Sequence, residues 1–474
     1  MKTIFFLWCD YCGLMSNPKK WWETSLLITL KFQIKKKKMK TKQTFLLQIL
    51  AIAALTISCN TPNEPVNNSL TLSAEVSCTE AWLKLSANNV SLPKGITITR
   101  DGNNLFSFTL TTRDTTLYDS TLTPNKSYTY QALLSPLGGQ SNKIVATTLD
   151  TTSHNFSWQM FTLGEADAGS SVLNDVAIVN DTLAYAVGEI YVNDSTGHPS
   201  PNAYNLAKWN GHTWQLFKIQ FYTFCGQEHT GSYRANAVAV LNDTTVWIAS
   251  NNSQIAVWNG NKQTEIMCLP VSVSKIWAAN KNDVYTIGAL GQIGHYTNGA
   301  WQKIESGTTL NINDIYGAYS NKTNKYEILA VASNILSSLD REIIQINNSQ
   351  ANVIDKEGVQ GTLSSVWFKP NIKYYVGGGG IYVKNKLNES KWKNNPFDVT
   401  RYYTYKMRGV EVNDIAAVGG VGEVLHYNGK KWKSYIEEIG LSRGNYYSVT
   451  MKENLIIAVG YNSRQAAITI GRRK

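Results

Sequence analysis

Residues 282–303 read NDVYTIGALGQIGHYTNGAWQK, and residues 413–434 read NDIAAVGGVGEVLHYNGKKWKS. Asp283, Gly288, Gly291, His295, Tyr296 and Trp301 in the first keep the intervals of Asp414, Gly419, Gly422, His426, Tyr427 and Trp432 in the second. A chain that writes one sentence twice must be read as a repeat before any single residue is read as a site. Working outward from these copies, a first strand centred on Val or Ile recurs as NDVAIV (174–179), NAVAVL (236–241), SKIWAA (274–279), NDIYGA (313–318), SSVWFK (364–369), RGVEVN (408–413) and YSVTMK (447–452). A second strand follows each core, as in YAVG (185–188), VYTIG (284–288) and IAAVGG (415–420). A third ends in an aromatic or apolar residue, with a Trp opening a fourth five positions on: Trp209 to Trp214, Tyr296 to Trp301, Leu387 to Trp392, Tyr427 to Trp432. Repeats two and four lack that Trp, although Trp258-Asn-Gly260 keeps the turn.

Four short strands recurring every 40 to 55 residues or so is the period of a β-propeller blade. The seventh repeat has only three strands, its core included, and FSWQMFTL (156–163), which precedes the first, looks like every other fourth strand. An N-terminal strand that completes the last blade ties a ring shut without an exposed edge. The expected fold is therefore all-β, with a seven-bladed propeller over 154–474 closed by its N-terminal strand.

The blades resemble a bacterial propeller repeat of the form W-x-x-x-x-x-D-V-Y-A-V-G-x-x-G-x-I-x-H-Y-x-G-x-x-W. That repeat occurs in secreted and lipoprotein chains and is distantly akin to the photosystem II assembly-factor and BNR propellers. Trp277 to Trp301 matches it best, and repeats two, four and seven depart most. The resemblance implies architecture and export far more than activity. The S-x-D-x-G-x-x-W box of sialidases is absent, and the blade ends do not carry the Gly-His and Trp-Asp dipeptides of WD40 repeats.

Upstream, residues 69–148 alternate apolar and polar residues in short runs (AWLKLSA, ITITRD, LFSFTLTT, TLYDSTL, SYTYQALL, KIVATTL) separated by turn residues such as Asp101-Gly102 and Pro124-Asn125. About seven strands in about 80 residues predict a β-sandwich. Trp82 in an early strand and Leu122-Thr-Pro-Asn-Lys-Ser-Tyr128 make it resemble a fibronectin type III domain. The resemblance implies that Trp82 packs the core and that Tyr128 makes a corner hydrogen bond. Such a domain is expected to act as a spacer.

The chain's formal charge is +11, but residues 1–58 hold ten Lys against Asp10 and Glu23, which leaves +3 for the remainder. A basic surface for nucleic acid is therefore not expected. From Met39, MKTKQTFLLQILAIAALTISC has a lysine-bearing start, an apolar run from Phe45 to Ile57 and a small residue before Cys59. That is the plan of a secretory signal over 39–58, too short to span a membrane. The small residue and Cys resemble a bacterial lipobox, with Thr56 where Leu is usual, which implies lipidation at Cys59 and a lipoprotein of the cell envelope, at the outer membrane or cell surface. A soluble exported protein and an uncleaved anchor are the alternatives. Residues 1–38, with Cys9 and Cys12, look like a mis-called upstream start, and 59–68 like a polar tether. Export leaves three cysteines in the mature chain, of which Cys225 and Cys268 flank one repeat. They are candidates for a disulfide or, equally, for buried thiols.

Candidate chemistry is sparse. His295 and His426 share a third-strand position, which favours scaffold over metal because blades three and six lie far apart. His198, His212, His229 and Glu228 cluster in the first blade and its exit loop, and a surface metal site there is the lesser reading. No cofactor motif occurs: G-x-S-x-G, H-E-x-x-H and the phosphate-cradling loop are missing, and Gly377 to Gly380 leads into a strand. One place after the central Val or Ile runs a column of Ala177, Ala239, Trp277, Tyr316, Trp367, Glu411 and Thr450. Trp277, Tyr316 and Trp367 beside Glu411 and Arg408 could stack and hold a sugar or peptide, or could fill the gaps between blades. The expected function is a membrane-anchored binding or scaffold module for a protein or glycan partner. The alternative is a carbohydrate-active enzyme at the channel mouth, for which Glu411 with Asp314 is the one nominated acid pair.

Overall fold

A computed structural model describes residues 69–474 apart from 136–138, 243, 251–252, 335–339, 395–398 and 442. The upstream start, export signal, tether and Cys59 lie outside the described residues. Strands β1 (Ser69–Val76), β2 (Glu80–Asn88), β3 (Lys94–Arg100), β4 (Asn103–Leu110), β5 (Asp114–Ser120), β6 (Ser127–Ser135) and β7 (Ile144–Thr147) form two antiparallel sheets, β1-β2-β5 and β4-β3-β6-β7. Between them Ala81, Leu83, Leu85 and Ala87 of β2 meet Ile96, Ile98, Tyr130 and Ala132. The Tyr128 hydroxyl accepts the Thr123 N–H at 2.9 Å.

Trp82 corrects the expectation drawn for it. The alternation that sends Leu83 and Leu85 into the sandwich sends Trp82 out of the opposite face. There it is wholly buried, in one cluster with Trp367, Ile372, Tyr375 and Tyr118. Beside it Glu80 takes the Lys373 ammonium at 2.5 and 2.7 Å and the Tyr118 hydroxyl at 2.5 Å. Burial opposes ionisation of Glu80, but Lys373 outweighs it and holds the carboxyl below its usual range. Lys386 adds a bond to the Thr116 carbonyl at 2.7 Å. The sandwich is docked on the rest of the chain through a Trp and an ion pair, more than a spacer requires.

Among the described residues, the remaining strands make seven four-stranded antiparallel sheets in chain order and one two-stranded hairpin, Phe221–Tyr222 with Thr230–Gly231. Their first strands are Val172–Asn180, Ala235–Asn242, Lys275–Asn280, Ile312–Ser320, Leu363–Lys369, Thr404–Glu411 and Gly444–Lys452. Each first strand neighbours the next, and the seventh neighbours the first, so the contacts run around a ring. The seventh sheet takes its outer strand from β8 (Phe156–Leu163), which pairs with Gln465–Arg473 from Phe156↔Arg473 to Leu163↔Ala466.

The repeated residues each have a job. Gly288 and Gly419 end second strands where a Cβ would stand 2.2 Å from the Ser272 carbonyl oxygen and 2.4 Å from that of Tyr403. Asp283 meets His295 at 2.8 Å and Asp414 meets His426 at 2.7 Å, which is why these pairs keep their spacing. Between sheets, Trp277 lies over Gly317 and Trp367 over Gly409, and a Cβ on either glycine would overlap the ring at 2.4 or 2.8 Å. The Cys225 and Cys268 sulfurs are bonded, with Cα atoms 5.8 Å apart, tying the small hairpin after sheet one to the last strand of sheet two. Cys78 is free and buried.

The sixth repeat corrects the sequence alignment. Lys406, Met407, Arg408 and Gly409 pair with Val418, Ala417, Ala416 and Ile415, as Lys275, Ile276, Trp277 and Ala278 pair with Ile287, Thr286, Tyr285 and Val284. Met407 is thus the central residue, not Val410. Arg408 takes the column place assigned to Glu411, which ends the strand opposite Asp414.

Candidate functional site

Where the seven first strands enter the ring, a cavity of about 240 Å³ is lined by Asn174, Asn236, Ser274, Lys275, Asn313, Ser364, Tyr403, Tyr405, Lys406 and Tyr447. All seven sheets contribute. The residue just inside Asn174, Asn236, Ser274, Asn313, Ser364, Tyr405 and Tyr447 builds a second layer: Asp175, Ala237, Lys275, Asp314, Ser365, Lys406 and Ser448. Two carboxylates here bind the ring together. Asp175 accepts from the Ser448 hydroxyl at 2.7 Å and the Val238 N–H at 3.3 Å, linking sheets seven, one and two. Asp314 accepts from the Ser365 hydroxyl at 3.1 Å and the Val366 N–H at 3.0 Å, and Ser365 accepts the Met407 N–H at 2.8 Å, linking sheets four, five and six.

The same carboxylates hold the cations. Asp314 Oδ1 takes Lys406 at 2.6 Å and Arg408 at 2.8 Å, with a second guanidinium bond to Oδ2 at 2.9 Å. Lys275 stands 3.2 Å from Asp175 and donates to the Asn174 carbonyl at 3.0 Å. Burial opposes charge on both acids, yet Arg408 and Lys406 hold Asp314, and Lys275 and Lys406 hold Asp175, below the usual carboxylate range. Lys406 moves the other way: burial first, then the Arg408 charge, pushes its ammonium down to about 8. On one side of the cavity a row of half-buried tyrosines runs outward, Tyr403 to Tyr405 at 4.9 Å, Tyr405 to Tyr447 at 5.1 Å and Tyr447 to Tyr461 at 5.7 Å.

None of the five residues nominated from sequence for ligand binding lines this cavity. Trp277 and Trp367 fill gaps between sheets, with the Trp367 indole N–H bonded to the Gly409 carbonyl at 3.1 Å. Tyr316 packs against Phe368, and the Arg408 guanidinium lies 5.3 Å from its ring centroid. Glu411 is paired with Lys369 at 2.7 Å at the far end of its strand. Arg408 and Asp314 do meet, but as a buried ion pair beneath the cavity. The acid pair nominated for glycoside hydrolysis is thus committed elsewhere: Asp314 is locked and ionised, while a general acid needs a raised pKa. Among the described residues no three His, Cys, Asp or Glu side chains gather as a metal site. His198 instead bonds the Thr196 hydroxyl at 3.0 Å. The cavity residues Tyr405 and Lys406 were missed because the misaligned sixth repeat left them outside its core. The signal was present as a polar residue opening most of the other cores.

No family model matches the chain, and no curated protein matches it. Solved structures do. A YCF48 bound to D1 peptide has a TM-score of 0.50 at 17% identity, covering 68% of this chain and 99% of its own. YCF48 from Cyanidioschyzon merolae has a TM-score of 0.48 at 13% identity, covering 67% and 99%. The WD40 propeller domain of Doa1 has a TM-score of 0.44 at 13% identity, covering 67% and 98%. The first of these shares with the chain a β-propeller fold, and at such identity the likeness speaks for fold alone.

Proposed function

We propose that this chain is an exported, lipid-anchored binding module: a seven-bladed propeller closed by β8, buttressed by a fibronectin type III-like sandwich and tethered at Cys59. Its site is the axial cavity, and its ligand is a segment of a protein partner. One observation carries this reading: all seven sheets place a polar or aromatic residue at one opening, whose tyrosine row continues outward from it. Half-exposed tyrosines offer large contact area at small conformational cost, and a concave, ring-centred opening is a common place for ligands. The neighbour described as bound to a peptide agrees with a protein partner. The sandwich order β1-β2-β5 over β4-β3-β6-β7 and the Tyr128 bond support the fibronectin-like reading. The apolar run before Cys59 supports anchoring at the cell envelope.

The test is capture of envelope-protein peptides on an array by the full chain, beside Y405A, Y447A and a rim control, Y319A. Selective capture lost in Y405A and Y447A but kept in Y319A is the expected result. Capture unchanged in both cavity variants would move the site off the axis.

A further inference from the structure

The floor of the axial cavity is out of electrical balance. Lys275, Lys406 and Arg408 converge there with side chains 15%, 6% and 18% exposed. Among the described residues the acids that meet them are Asp175 and Asp314, at 10% and 0%. Three cations face two carboxylates, and buried charge without a partner is costly, so the arrangement lacks one anion. Space for it lies directly above, since Lys275 and Lys406 belong to the cavity wall. Lys406 has three N–H donors, and among the described residues its hydrogen bond goes to Asp314 Oδ1.

Size narrows the class. A space of about 240 Å³ falls below the roughly 300–1,000 Å³ of sites that enclose a drug-sized ligand. It suits one small group, and the tyrosine row that starts in its wall and continues to Tyr461 gives the rest of a chain somewhere to lie. Resting on the peptide-binding reading above, we infer that the cavity receives the terminal carboxylate of a peptide between Lys275 and Lys406. The anion restores neutrality, and charge-assisted bonds from two ammonium groups fix its position. Lys406 is a cation below its value of about 8, so affinity should be full below that pH and fall as the ammonium deprotonates above it.

The experiment is calorimetric titration of the full chain with N-acetyl-Gly-Tyr as the free acid, as its C-terminal amide, and with acetate alone, from pH 7 to 9.5. The free acid should bind at least tenfold tighter than the amide, weaken about tenfold in K275Q and K406M, and lose affinity above pH 8 in the unaltered chain. Acid and amide binding alike, or no binding by either, overturns the inference. Acetate matching the peptide acid keeps the anion site but removes the peptide from it. The acid–amide comparison needs no variant, so a misfolded K406M leaves the test intact. Peptide capture that depends on Tyr405 but ignores the carboxylate would sink this inference and leave the function above standing.

Discussion

The hairpin of sheet three and the hairpin of sheet six carry the same Asp–His pair, and the ring uses them differently. In sheet three, Asp283 is 35% exposed and His295 lies flat on Tyr285 at 4.0 Å, a clamp internal to one sheet. In sheet six, Asp414 and His426 are 7% and 0% exposed, because the chain entering β8 crosses over them. His154 meets His426 Nδ1 to Nδ1 at 2.9 Å, Arg473 donates to Asp414, and Phe156 stands edge-on to His426 at 5.1 Å. One motif, written twice, became a local brace in one place and the latch of the ring in the other. Burial made the difference, since the same contact is worth little in water and a great deal when its breakage strands a charge.

The widest gap between the copies should appear on removing the acid. Asp414→Ala leaves Arg473 and His426 buried without their carboxylate and should cost about 3–5 kcal/mol in urea unfolding. Asp283→Ala should cost about 1 kcal/mol or less. Equal losses would mean that the seam carries no special load.

A smaller separation should appear with pH. Asp414 fixes a proton on His426 Nε2, so neutral His426 accepts at Nδ1 from His154, and protonating His426 turns that acceptor into a second donor and breaks the chain. Burial and the neighbouring His426 push His154 down to about 4, and burial also lowers His426, with Asp414 opposing and Arg473 adding to the depression. Lys431 and Lys433 face His154 as well. Both folded values lie below the unfolded value near 6.5, so this stability is complete above pH 6.5 and is lost as pH falls toward 4. The urea midpoint of H154Q should fall less steeply over that window than that of the unaltered chain. A steep fall retained in H154Q would place the titrating groups elsewhere.

The smallest effect probes what the two copies share. Leu290 and Val421 sit in the same turn with φ of 53° and 57°, a left-handed conformation that strains any side chain and a β-branched one most. Val421→Gly should gain about 0.5–1 kcal/mol and Leu290→Gly somewhat less, as shifts in thermal midpoint, after the added flexibility of glycine in the unfolded chain is discounted. A loss in both would show that the turn is held by the side chains rather than in spite of them.

Most of the architecture was legible because its signals are periodic. Six of the seven cores, their second strands and the role of residues 156–163 as an outer strand follow from spacing alone. The sixth core failed for a physical reason: Gly409, which looks like a poor strand residue, is small because Trp367 of the neighbouring sheet lies over it. The motif R-G-V-E-V therefore drew the alignment three residues too far. That slip hid Lys406 and Tyr405, and with them the cavity. Trp82 was misplaced differently. Its neighbours Ala81, Leu83 and Leu85 already marked the sandwich core by alternation, so Trp82 had to face outward, but a large aromatic is hard to imagine outside a core until the partner surface is seen. Which surfaces dock is long-range information that no local pattern contains.

The seam also sets a timetable. The Ser157 hydroxyl donates to the Arg472 carbonyl across 315 residues of chain, so the last sheet cannot form until the strand at the far end is available. Six sheets can assemble from hairpins whose partners are near in sequence, quickly and in order. The seventh must wait, and while it waits both β8 and its future partner present bare strand edges able to pair with a second chain. For this molecule the interval between nearly finished and finished is the hazardous one, when a shielding factor or low local concentration would matter most.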